Sequence, residues 1–128
     1  MKLGYVIYYV KSVEETITFY EKAFSMKRKF VHESGSYGEL DTGSTSLAFA
    51  DFDLGEANGI GFKKRSSDFL SSDMEIGLVS DDVESAHREA LAAGALQVKK
   101  PETKPWGQVV SYVRDINGFL IEICSPMN

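Results

Sequence analysis

A chain of 128 residues, 43% of them hydrophobic and 26% charged, suffices for one compact domain, or for two half-size units on a shared core, but not for two independent domains. With 11 Gly and 3 Pro it falls outside collagen-like, coiled-coil and disordered compositions. A net charge of −5 argues against nucleic acid as a partner, because phosphate binding needs a basic face.

Leu3 to Val10 is dense in Val, Ile and Tyr and is expected to be a strand. It is too short for a signal peptide or a membrane span, so a cytoplasmic protein away from membranes is expected. Ser12-Val13-Glu14-Glu15 has the form of a capping box, and Val13, Ile17, Tyr20 and Phe24 follow at helical spacing. A helix over about 13–24 follows from both. Three shorter strand-like pieces come next, Lys27 to Glu33, Tyr37 to Asp41 and Ser46 to Phe52, with Gly35 and Thr42-Gly43-Ser44 as turns. Asp53 to about Asp73, rich in Gly and Ser, reads as a connection with a short extended piece at Ile60 to Lys63. The basic run Lys63-Lys64-Arg65 within it reads as a solvated loop.

Beyond this connection the same order begins again. Met74 to Val79 reads as a strand, Asp81-Asp82-Val83-Glu84 as a helix start, and Val83, Ala86, Ala90 and Leu91 as an apolar stripe that Gly94 ends. Strands are expected at Ala95 to Val98, Gln108 to Arg114 and Phe119 to Cys124, with Asn117-Gly118 marking a tight hairpin. This is an internal repeat. Aligning Val13-Glu14 with Val83-Glu84 sets Tyr5 opposite Glu75. Aligning Asp41-Thr42-Gly43-Ser44 with Asp115-Ile116-Asn117-Gly118 sets Ala48 opposite Glu122. The modules run from about 1 to 52 and from about 74 to 128. Each is a small sheet with a helix on one face.

Strand alternation sorts the side chains. Phe119, Ile121 and Ile123 suit the underside of a helix, whereas Leu120, Glu122 and Cys124 point the other way. Glu122 stands out, since an ionised carboxylate in an apolar strand must be paired, metal-bound or wet. Cys124, the only cysteine, cannot form an intrachain disulfide and reads as a small buried hydrophobe. His32 and His87 read as surface or helix-edge residues.

The repeated order, Val10-Lys11-Ser12-Val13-Glu14 before Phe19-Tyr20, and Trp106-Gly107 before Arg114-Asp115-Ile116-Asn117-Gly118-Phe119-Leu120-Ile121-Glu122 together resemble the vicinal oxygen chelate superfamily. That group includes glyoxalase I, bleomycin-resistance proteins and extradiol dioxygenases. The resemblance implies an α+β fold of two βαβββ modules whose curved mixed sheets enclose a cavity, with helices outside. It also implies a homodimer.

In metal-using members four ligands come from the first and last strands of the modules. These positions fall here on Tyr5, Ala48, Glu75 and Glu122. Ala48 coordinates nothing and a neutral tyrosine is a poor ligand, so no metal cofactor is expected. The expected cavity lining includes Tyr5, Ile7, Tyr9, Ser46, Ala48, Ala50, Glu75, Gly77, Leu120 and Glu122, with Trp106 and Tyr112 at the rim. Aromatic walls and two acids suit an aromatic or cationic small molecule. Metal-independent binding or sequestration is the leading expectation. The alternative is a lyase or isomerase with a weakly held divalent metal or with Glu122 or Glu75 as general base, glyoxalase I activity itself being disfavoured.

Overall fold

The computed structural model describes residues 1–64 and 73–127. They form two compact units. The first contains β1 (Tyr5–Val10), α1 (Val13–Phe24) apart from its last turn Lys22–Phe24, which groups with the second, β2 (Lys27–Val31), β3 (Tyr37–Asp41), β4 (Ser46–Asp51) and α2 (Phe52–Ala57). The second contains β5 (Glu75–Val79), α3 (Val83–Ala92), β6 (Leu96–Thr103), β7 (Val109–Arg114) and β8 (Leu120–Cys124). The fold is α+β. Each unit carries one four-stranded mixed sheet, in the orders β1-β4-β3-β2 and β5-β8-β7-β6, and the outer pairs β1/β4 and β5/β8 run parallel.

In the first unit the Ser12 hydroxyl caps α1 by accepting the Glu15 N–H at 3.2 Å. Val13, Ile17 and Tyr20 are buried on the inner stripe of α1. Tyr20 packs on Phe49 of β4 with ring centroids 5.1 Å apart. Gly38 of β3 is required beneath this helix, because a Cβ there would lie 2.5 Å from Ile17 Cδ1 and 3.1 Å from Val13 Cγ1. Arg28 of β2 ties the sheet to α1 through Glu14 at 2.9 Å and Glu21 at 3.0 Å.

The expected connection after β4 begins instead with the short helix α2. Asp51 supplies its N-cap, accepting the Leu54 N–H at 2.8 Å. Of the glycines that suggested a loop, Gly55 serves packing: a Cβ on it would meet Phe62 Cε1 at 2.5 Å and Tyr9 Cε1 at 2.9 Å. The extended piece expected at Ile60 to Lys63 is not a strand. Phe62 stacks on Tyr9 with centroids 4.6 Å apart, and Lys64 pairs with Glu56 at 2.7 Å. Arg65 and the rest of 65–72 lie outside the described residues.

In the second unit Asp82 caps α3 by accepting the Ser85 N–H at 3.0 Å, and Gly94 takes a positive φ of 113° just beyond the helix. His87 is not at the surface. It is buried in the inner stripe of α3, with Nδ1 3.0 Å from the Ser111 hydroxyl and Nε2 2.7 Å from Gln97 Oε1. A helix position at the buried spacing outweighs the polarity of a histidine once both ring nitrogens have partners. His32, by contrast, is exposed just beyond β2, with Nδ1 2.7 Å from the Ser34 hydroxyl.

The Asn117-Gly118 turn is also wider than a two-residue hairpin. The β7–β8 register closes at Arg114↔Leu120, leaving five loop residues. Asp115 organises them, its Oδ1 accepting the N–H groups of Asn117 and Phe119 at 2.9 Å each, while only Gly118 has positive φ. Arg114 Nη1 adds a bond to the Gly118 carbonyl at 3.1 Å. The Arg-Asp-x-x-Gly signature is thereby a loop-building device that delivers β8. Among the described residues no helix is long and apolar enough to cross a membrane.

Candidate functional site

Each sheet has one face under a helix; the opposite face is open in the second sheet, and in the first it is partly covered, with Tyr9 against Phe62 and α2 and with Ala48 and Ala50 buried. In β8, Ile121 and Ile123 are buried on the helix side, which turns Glu122 to the open face by alternation. Tyr112 stands directly opposite Glu122 on β7, and its hydroxyl donates to Glu122 Oε2 at 3.2 Å. On the other flank Gly77 of β5 is the register partner of Glu122. Glu75, two residues earlier on β5, completes the pair of acids.

Glu75 is held above the usual carboxyl range, first by burial and then by its hydrogen bond to and charge repulsion from Glu122. The register sets Glu75 on the strand beside Glu122, one step along the same face, so the two carboxyl groups are neighbours. The same surroundings keep the other donors protonated. Burial and the charges of Glu122 and Glu75 push the Tyr112 phenol up. Burial, then Glu122, does the same to the Cys124 thiol, which disfavours the thiolate. Leu120 lies on the same face, opposite Glu75 in register.

On the face of the first sheet away from α1, Tyr5, Ile7 and Tyr9 of β1 stand in register with Ser46, Ala48 and Ala50 of β4. Ala48 is fully buried although Tyr5 is 56% exposed. Glu39 of β3 is the register partner of Ala48 and was not anticipated from the sequence. Its Oε2 accepts the Tyr37 hydroxyl at 2.8 Å and its Oε1 lies 3.5 Å from Lys29 Nζ. Burial, reinforced by Glu39, holds the Tyr37 phenol far above its usual range, so it stays a donor. Alternation through Tyr37-Gly38-Glu39 was the available signal: with Gly38 beneath the helix, both neighbours must face away.

Residues 3–128 match the sequence pattern of the glyoxalase-like domain. The chain belongs to the glyoxalase-like domain family. Solved structures agree on the fold. A glyoxalase-related enzyme from Fulvimarina pelagi is 18% identical, with a TM-score of 0.83 over 98% of this chain and 88% of that one. A protein of unknown function from Agrobacterium tumefaciens str. C58 is 20% identical, with a TM-score of 0.80 over 99% and 95% of the chains. A glyoxalase/bleomycin resistance protein/dioxygenase family enzyme from Burkholderia phytofirmans PsJN is also 20% identical, with a TM-score of 0.77 over 99% and 100%. No curated protein matches this chain in sequence.

The sequence resemblance to the vicinal oxygen chelate superfamily implies, for its metal-using members, ligands at the positions of Tyr5, Ala48, Glu75 and Glu122 of this glyoxalase-like protein. The donor set does not fit that role. A methyl group at Ala48 offers no lone pair, a tyrosine at position 5 is a poor ligand for such ions, and Glu122 Oε2 already accepts from Tyr112. Among the described residues, no group of three His, Cys, Asp or Glu side chains is arranged to hold an ion. Trp106 sits apart from the acids. It lies in the β6–β7 turn, 63% exposed, and its Nε1 donates to Gln108 Oε1 at 2.9 Å, beyond the Cys124 end of β8.

Proposed function

We propose that this glyoxalase-like protein binds a small molecule on the open face of its second sheet, through Glu122 and Glu75 and without a metal. The observation that carries this reading is the neighbouring acid pair on a helix-free face, Glu75 beside Glu122 in the β5–β8 register with the Tyr112 hydroxyl fixed on Glu122. A sheet face holding two acids that cost stability beside one another is built for an occupant that relieves the cost. A cationic ligand does so: its charge offsets the repulsion of the two acids, while Leu120 and Val79 offer apolar ground for its body.

Isothermal titration with benzylamine, together with a thermal-shift panel of cationic and aromatic compounds, tests this. Glu122→Gln is expected to weaken binding by about tenfold or more, the usual worth of a charged hydrogen bond. Prior treatment with a chelator is expected to leave affinity unchanged. Ligand affinity indifferent to Glu122→Gln, or lost on chelation, refutes the reading.

The raised carboxyl of Glu75 favours a second reading, a proton-transfer enzyme of the lyase or isomerase type with Glu122 as base and Glu75 as acid. Its signature is exchange of a substrate C–H adjacent to a carbonyl with deuterated solvent. Exchange that persists undiminished in Glu122→Gln refutes it.

A further inference from the structure

Gly77 occupies the middle of edge strand β5, where glycine forfeits both strand propensity and packing. Nothing in the fold asks for it. Its φ is not positive, the β5–β8 register runs unbroken from Glu75↔Leu120 to Val79↔Cys124, and a Cβ built on it meets no atom within 4 Å. Among the described residues, turn, bulge and close approach of the chain's own atoms are thereby excluded. This contrasts with Gly38 and Gly55, whose added Cβ would collide at 2.5 Å. The remaining reason for glycine inside a strand is the close approach of something outside the chain.

The space it leaves is specific. Gly77 is the cross-strand partner of Glu122, with Glu75 and Val79 about 7 Å to either side along the same face. The missing side chain therefore opens the flank of the Glu122 carboxylate. At the equivalent register position of the first sheet Ile7 stands opposite Ala48, so the bulky and small partners are exchanged.

We propose that Gly77 is the access position of this site, admitting the primary ammonium end of an amine ligand beside Glu122 and Glu75 while the ligand's apolar body lies on Val79. The proposal rests on the binding function given above. A primary ammonium offers three N–H donors to the carboxylate oxygens and is slim enough for a gap one side chain wide. A trimethylated ammonium has neither property.

The test is calorimetric titration of the full chain with benzylamine and with benzyltrimethylammonium, in the wild type, Gly77→Ala and Gly77→Leu. Benzylamine is expected to bind the wild type more tightly than the trimethylated analogue. It is expected to bind Gly77→Ala about tenfold and Gly77→Leu about a hundredfold more weakly, as the gap fills. Apo melting temperatures of both variants are expected at or above the wild-type value, since a Cβ meets nothing there.

Unchanged benzylamine affinity in both variants overturns the proposal. So does a fall in light-scattering mass on substitution, which assigns the gap to a second copy of the chain. If the wild type binds neither amine but another compound of the panel depends on Glu122, this inference falls and the binding function stands. If no compound depends on Glu122, both fall.

Discussion

The two units share one strand order and, in the parallel pairs β1/β4 and β5/β8, one register, yet they put polarity in opposite places. Beneath α1, Ile17 packs over Gly38 in an apolar contact. At the matching positions beneath α3, His87 meets the Ser111 hydroxyl, with Gln97 on the second ring nitrogen. On the faces away from those helices, Ile7 and Ala48 of the first sheet correspond to Gly77 and Glu122 of the second. Both faces keep a phenol–carboxylate hydrogen bond, within one strand as Tyr37–Glu39 and across two strands as Tyr112–Glu122. The scaffold thus constrains where a side chain points and leaves its chemistry free. Among the described residues, the second unit sets two acids, Glu75 and Glu122, side by side on its open face, and the first unit has no such pair at the matching positions Tyr5 and Ala48.

The largest expected effect breaks the apolar version of the helix contact. Gly38→Val drives a branched side chain into Ile17, Val13 and the Phe30 carbonyl, and is expected to destabilise by about 3 kcal/mol in denaturant unfolding. A loss under about 1 kcal/mol would mean that α1 lifts from the sheet easily.

The polar version should yield less. With Gln97 Oε1 as acceptor, His87 Nε2 donates, and in the neutral ring Nδ1 then accepts from Ser111. Ser111→Val leaves that buried nitrogen bare, for an expected loss of about 2 kcal/mol. Combining His87→Ile with Ser111→Gly copies the first unit's pair into the second. Removing both polar partners is expected to return stability to within about 1 kcal/mol of the wild type in the same unfolding measurement. A double substitution as damaging as Ser111→Val alone would show that the two helix contacts are not interchangeable.

The repeat, α1, and the two open-face acids were legible because capping residues, apolar spacing and alternation are local signals. What was not legible depended on partners distant in sequence. His87 is the case in point: as a lone residue it reads as polar surface, and only Ser111, 24 positions on, makes its burial affordable. Glu39 escaped because a charged residue in a short strand looks solvent-facing until Tyr37 and Lys29 are seen on it. The helix α2 was hidden by Gly55, whose glycine is set by Phe62 and Tyr9 rather than by a loop. The Asn-Gly pair misled through a turn rule that Asp115 overrides with its two backbone bonds.

The smallest and most diagnostic effect concerns the acid pair, for which the first unit has no counterpart. A carboxyl whose folded pKa exceeds its unfolded value binds its proton more tightly in the native state. Its contribution is fully present below the ordinary carboxyl range and is lost as pH rises through the raised value of Glu75. Melting temperature is therefore expected to decline with pH across that interval by an amount kept modest by the exposure of Glu75. Glu75→Gln removes the titrating group but keeps a hydrogen-bond donor for Glu122, so it should flatten the decline and raise stability at neutral pH. Glu39→Gln in the first unit should leave the decline in place. If instead Glu39→Gln flattened it and Glu75→Gln did not, the carboxyl with the raised value would have to be sought on the other sheet, and the case for an acid-pair site on the second would be lost.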